Sequence, residues 1–75
     1  MKVAIYNSKR ASKEEIDSVH RSLESAGFTV SFLRHREDLA PDTDYVVAIG
    51  GDGTFLAAAG IVSDLEIPLV GVNCG

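Results

Sequence analysis

Residues 3–6 (Val-Ala-Ile-Tyr) form a short apolar run broken by Asn7-Ser8, the pattern of a strand buried on both faces. A slower rhythm follows. From Ser12, the apolar positions Ile16, Val19, Leu23 and Ala26 recur at spacings of three and four and make one stripe, with Glu14, Asp17, Arg21 and Glu24 off it. That spacing predicts a helix. Ser12-Lys13-Glu14-Glu15 marks its start as a capping box, in which the Ser12 hydroxyl accepts from the Glu15 N–H and the Glu15 carboxylate from the Ser12 N–H. Gly27 supplies the left-handed residue that commonly ends a helix. Phe28, Val30 and Phe32 then alternate with Thr29 and Ser31, a period of two that predicts a second strand, and its polar alternate face suits a sheet edge. Residues 34–44, charged and containing Pro41, read as a solvated connection with one helical turn around residues 37–39. Residues 45–49 are uniformly apolar and predict a central third strand. After Gly50-Gly51-Asp52-Gly53-Thr54, the run Phe55-Leu56-Ala57-Ala58-Ala59 favours a second helix starting near Thr54. Its alanines let it lie close to a sheet, Gly60 is a weak point and residues 63–66 form its exit. Pro68 can begin a strand, and Leu69-Val70-Gly71-Val72 follows as the fourth.

Strand, helix, strand, strand, helix, strand is the order of an α/β, doubly wound, Rossmann-like parallel sheet of about four strands with helices on both faces. The strand order 2-1-3-4 fits best. It sets strands one and three side by side with their following segments leaving in opposite directions, and ligands bind at the carboxyl ends of strands at such a switch point. Asn7-Ser8-Lys9-Arg10 would then face Gly50-Gly51-Asp52-Gly53-Thr54 across the crevice.

Composition narrows the range of partners. Seventy-five residues make one small domain at most, 45% hydrophobic and 24% charged, which argues against disorder. A net charge of −4 argues against general nucleic-acid or anionic-membrane binding, both of which need a basic surface. The single cysteine, Cys74, excludes an intramolecular disulfide and a cysteine-cluster zinc site, and it fits a reducing compartment. No stretch approaches the roughly 20 apolar residues of a membrane span. The amino terminus lacks the extended apolar core of a signal peptide. The expected location is the cytoplasm.

The chemistry concentrates at residues 50–54. Gly50, Gly51 and Gly53 lack a Cβ, so backbone N–H groups there can come close to a phosphate or a ribose. The helix beginning beside them adds its free N–H groups and positive dipole end. A carboxylate in such a place repels phosphate, which suggests that Asp52 has a chemical task rather than a binding one. The spacing matches neither G-x-G-x-x-G nor the P-loop. The plainer alternative is a tight strand-to-helix corner with Asp52 or Thr54 as the helix cap. Lys9 and Arg10 are either phosphate contacts or a solvated pair ahead of a helix. His20 reads as partly packed and His35 as solvated, and Cys74 could line the crevice.

At this point the chain resembles the inorganic polyphosphate/ATP-NAD kinases. The likeness rests on Gly50-Gly51-Asp52-Gly53-Thr54 with Phe55-Leu56 and alanines after it. It rests further on Ile67-Pro68-Leu69-Val70-Gly71-Val72-Asn73-Cys74-Gly75, which looks like the family's Pro-x-x-Gly-x-Asn-x-Gly strand and loop. Diacylglycerol, sphingosine and 6-phosphofructo-kinases share the first motif, and the second makes the choice among them. The resemblance implies that Asp52 is the general base taking the proton from the 2′-hydroxyl of the adenosine ribose of NAD as it attacks the γ-phosphoryl of ATP, or polyphosphate, to give NADP. It implies that Gly50, Gly51, Gly53, Thr54 and Asn73 contact nucleotide. Leu56 becomes a wall of the adenosine pocket, against the alternative of a core leucine. The expected cofactor is a divalent cation, Mg2+, carried with ATP, since no metal-ligand cluster is visible in the sequence. Family members continue with a Leu-Gly-Phe segment and a β-rich domain that completes the NAD site. The resemblance therefore implies a nucleotide-binding N-terminal domain over residues 1–75, the C-terminal domain being absent, with little kinase activity on its own and a homo-oligomer in the full-length protein. Two alternatives remain open on the residues: the N-terminal domain of a diacylglycerol-type lipid kinase, and a non-catalytic nucleotide-binding domain.

Overall fold

The Ser12 capping box forms as its residues require, with Ser12 Oγ accepting from the Glu15 N–H at 3.1 Å and Glu15 Oε1 from the Ser12 N–H at 3.4 Å. In the computed structural model, which describes residues 1–73, it opens helix α1 (Lys13–Ser25). Cys74 and Gly75 lie outside the described residues, and with them the expectation that Cys74 lines the crevice. At the other end of α1, Gly27 adopts φ 91°. The Gly27 N–H donates to Glu24 O and the Phe28 N–H to Leu23 O, both at 3.0 Å, the paired closure that a left-handed glycine allows. Ala26, expected on the apolar stripe, is the exposed C-cap residue instead. Ser12→Ala removes the side-chain acceptor of the Glu15 N–H at the start of α1 and is expected to lower stability by about 1 kcal/mol, read as a shift of the urea midpoint.

The remaining elements are β1 (Lys2–Asn7), β2 (Thr29–Phe32), a single 3-10 turn (Arg36–Asp38), β3 (Tyr45–Gly50), α2 (Asp52–Val62) and β4 (Leu69–Asn73). The strands form one all-parallel sheet in the order β2-β1-β3-β4, as the sequence predicts. β1 and β3 are central, and Val3, Ala4, Ile5, Val46, Val47, Ala48 and Ile49 are all buried. Their alternation divides the core in two. Val3, Ile5, Val47 and Ile49 meet Val19 and Leu23 of α1 on one face, while Ala4 and Val46 meet Val62 of α2 and Leu33 on the other. Pro68 precedes β4, where its missing N–H is not needed and its carbonyl accepts from the Val46 N–H at 3.0 Å.

The second strand and the connection after it depart from the expected pattern. Phe32, on the apolar phase of β2, is 45% exposed at the sheet edge and meets the His20 ring edge-on at 5.3 Å, whereas Leu33 just beyond the strand is buried. The segment 34–44 is anchored rather than merely solvated. Asp38 Oδ2 accepts from the Arg34 and His35 N–H groups at 3.1 and 3.0 Å, bonds that hold its carboxyl below the usual range. Arg36 grips Asp64 through two bonds of 2.6 and 2.9 Å. Thr43 is buried and donates its hydroxyl to Ala40 O at 2.7 Å.

Candidate functional site

β1 and β3 both end at the same edge of the sheet, where the Ser8 N–H donates to Ile49 O at 2.8 Å and closes one strand exit onto the other. Gly50, the last residue of β3, turns the chain toward α2 with φ 153°. A Cβ there would stand 2.5 Å from Thr54 Oγ1, 2.8 Å from Ser8 Cβ and 2.9 Å from Thr54 Cβ. Glycine is required at this corner twice over, by the backbone angle and by the approach of Ser8 and Thr54.

α2 begins at Asp52, two residues earlier than its apolar pattern suggests, and Gly51 is its N-cap. Neither Asp52 nor Thr54 caps the helix, which removes the plainer reading of the acid. The Gly51 carbonyl accepts from the Thr54 and Phe55 N–H groups, both at 3.1 Å. The N–H groups of Asp52 and Gly53 find no backbone acceptor among the described residues, as expected for a first turn. Gly53 lies in this turn without a positive φ.

Asp52 is exposed, and among the described residues its carboxylate makes no hydrogen bond or ion pair. It borders a recess of about 140 Å3 together with Gly50, Gly51, Phe55, Gly71 and Asn73. The register of β3 and β4 pairs Gly50 with Asn73, which brings the two sequence motifs together. On the opposite side of Gly50-Gly51 lies a wider recess of about 680 Å3 lined by Ser8, Arg10, Glu15, Gly53 and Thr54. The loop after β1 thus faces the glycine turn as expected, through Ser8 and Arg10; Lys9 is exposed outside the lining. The loop is shaped by Ser8, whose Oγ accepts from the Arg10 N–H at 3.1 Å.

Leu56 is 70% exposed, so the core alternative for it does not hold. His20 lies on α1 with Nε2 3.5 Å from Glu24 Oε2, and His35 precedes the 3-10 turn; neither borders the recesses. Phe55 is the residue that sequence reasoning passed over. Its ring lies against Gly71 of β4 at the edge of the Asp52 recess. A glycine inside a strand pattern signals such a close approach. Among the described residues, no group of three or more His, Cys, Asp or Glu side chains could hold a metal ion, and no helix is long and apolar enough to cross a membrane.

Residues 3–75 match the family model of the ATP-NAD kinase N-terminal domain. The NAD kinase of Syntrophobacter fumaroxidans is 43% identical over 54 residues, which cover 72% of this chain and 18% of that protein. The NAD kinase of Aquifex aeolicus is 40% identical over 78 residues, 97% of this chain and 28% of its own length. A crystal structure of an NAD kinase from Archaeoglobus fulgidus in complex with ATP matches 100% of this chain and 28% of that chain, with a TM-score of 0.70 at 23% identity, a likeness of fold. The chain spans less than a third of each of these relatives. With all but its first two residues inside the family model, this chain belongs to the ATP-NAD kinase N-terminal domain family.

Proposed function

We propose that the chain supplies the nucleotide-binding part of an NAD kinase and that Asp52 is its general base. The observation that carries this reading is the position of the Asp52 carboxylate, exposed and without a side-chain partner among the described residues, in the first turn of α2 at the border of the recess shared with Gly71 and Asn73. An ionised carboxylate repels phosphate but accepts a proton from a hydroxyl. In the proposed reaction the 2′-hydroxyl of the adenosine ribose of NAD gives its proton to Asp52 as its oxygen bonds to the γ-phosphorus of ATP. The bond from that phosphorus to the bridging oxygen breaks, and ADP leaves with the electron pair. Gly50, Gly51 and Gly53 keep side chains away from the transferring group, with the free N–H groups of the first turn beside it, and Thr54, Leu56 and Asn73 contact nucleotide. Among the described residues, no three or more His, Cys, Asp or Glu side chains group to hold a metal ion. The divalent cation, Mg2+ in this reading, arrives chelated by the ATP phosphates as part of the substrate.

The test is NADP formation from NAD and ATP by the complete polypeptide that carries this chain, followed with an NADP-specific dehydrogenase. Turnover is expected with NAD and none with an analogue lacking the 2′-hydroxyl. The 75-residue chain alone is expected to show little or none. Robust NADP formation in proportion to this chain's own concentration would show that the site needs no further part.

A further inference from the structure

Three observations bear on how Asp52 is held. The first turn of α2 has no side-chain cap, because Gly51 occupies that position and offers only its carbonyl. That turn is seated on glycine backbone at two points. On the β1 side Thr54 closes on Gly50, where a Cβ would stand 2.5 Å from Thr54 Oγ1. On the β4 side the Phe55 ring closes on Gly71, where a Cβ would stand 2.8 Å from Cδ1 and 3.2 Å from Cε1. Finally, Asp52 and Phe55 are three residues apart and so neighbours on one helix face. Both border the recess shared with Gly71 and Asn73.

We infer that Phe55 and Gly71 are positioning residues for Asp52: the ring, resting on bare β4 backbone, sets the height and rotation of the first turn and hence where the carboxylate stands over the recess. The inference rests on the reading of Asp52 as the base. The far end of α2 is held by Ala58 and Val62, which are buried, while Phe55 remains 40% exposed. A half-exposed ring contributes less to folding than a core phenylalanine. Its removal therefore frees the first turn more than it unfolds the domain.

The experiment uses the complete polypeptide. In Phe55→Ala, kcat for NADP formation is expected to fall about 10- to 100-fold, the scale of an ångström misplacement of a reacting group. The NAD dissociation constant from calorimetry should stay within about threefold, because an interaction specific to the transition state lowers kcat and leaves binding alone. Phe55→Leu, which keeps an apolar contact on Gly71, should recover most of the rate. Gly71→Ala should lower kcat with Phe55 present and add little in Phe55→Ala, because the ring it collides with is gone. In an Asp52→Asn background, Phe55→Ala should cost little further rate. Losses that multiply in that background, or a rate unchanged in Phe55→Ala and Gly71→Ala, would overturn the inference and leave the base reading standing. Full turnover in Asp52→Asn would instead overturn the base reading itself. Should Phe55→Ala fail to fold, the rates of Phe55→Leu and Gly71→Ala decide the matter.

Discussion

Asp52→Asn is expected to lower NADP formation by the complete polypeptide about 10²- to 10⁴-fold, the range that a positioned general base contributes. The change is nearly isosteric and removes the carboxylate proposed to take the hydroxyl proton. Since the side chain is exposed and unpartnered among the described residues, no folded contact is lost with it. Thermal unfolding should move little, with only the favourable interaction of an anion with the helix amino terminus removed. NAD binding should persist, because the backbone of Gly50 and Gly51 and the Asn73 side of the recess are unaltered. Undiminished NADP formation with NAD still bound would sink the assignment.

Where the chain's physics is one-sided, its architecture is readable from residues alone. Short, uniformly apolar runs at residues 3–6 and 45–49 have the pattern of strands covered on both faces, and β1 and β3 are indeed the buried central pair. Given those two, right-handed parallel crossovers leave few orders, and 2-1-3-4 is the one found. The two ends of α1 were equally legible, because the capping box and Gly27 each answer a local hydrogen-bonding need. The meeting of the β1 loop with the glycine turn then follows from topology, with Ser8 and Arg10 as the residues that reach it.

The start and the orientation of α2 were not legible. The expected cap residues carry oxygens, yet the cap is Gly51, and the helix opens at Asp52 with that oxygen-bearing side chain left unused. From Phe55 to Val62 the helix is apolar nearly all round, so periodicity cannot say which side meets the sheet. Burial falls on Ala58 and Val62, one turn apart, and Leu56 is left outward. Leu33 was invisible for a related reason. Directly after Phe32 it falls out of the period of two that marks β2, and only the folded chain brings it against Ala4, Val46 and Val62 in the core. Gly71 is informative in retrospect: its lack of a side chain matters because of a ring sixteen positions earlier, a contact that only the folded chain creates.

Gly50→Ala carries the second large expected effect, and here the three glycines of the motif part company. At φ 153° an alanine is strained, on the order of 1–3 kcal/mol for a residue held in such a region. Its Cβ would also lie 2.5 Å from Thr54 Oγ1 and 2.8 Å from Ser8 Cβ. Relieving that means parting the β1 exit from the first turn of α2, about 1–3 kcal/mol more by the cost of overpacking. The sum is a large share of the stability of a domain this size, for which about 0.05–0.15 kcal/mol per residue is typical. Gly50→Ala is therefore expected to lower the unfolding midpoint steeply or to prevent folding of the domain. Trimming Thr54 to Ala in the same chain should not restore it, since the φ angle and the contact with Ser8 remain. Gly51→Ala and Gly53→Ala meet nothing within 4 Å and need no positive φ. Both should be near neutral, with Gly53→Ala gaining up to about 1 kcal/mol from its place in the helix. Calorimetric unfolding of the three variants separates them, and a Gly50→Ala protein as stable as the parent would mean that the corner does not have the geometry described.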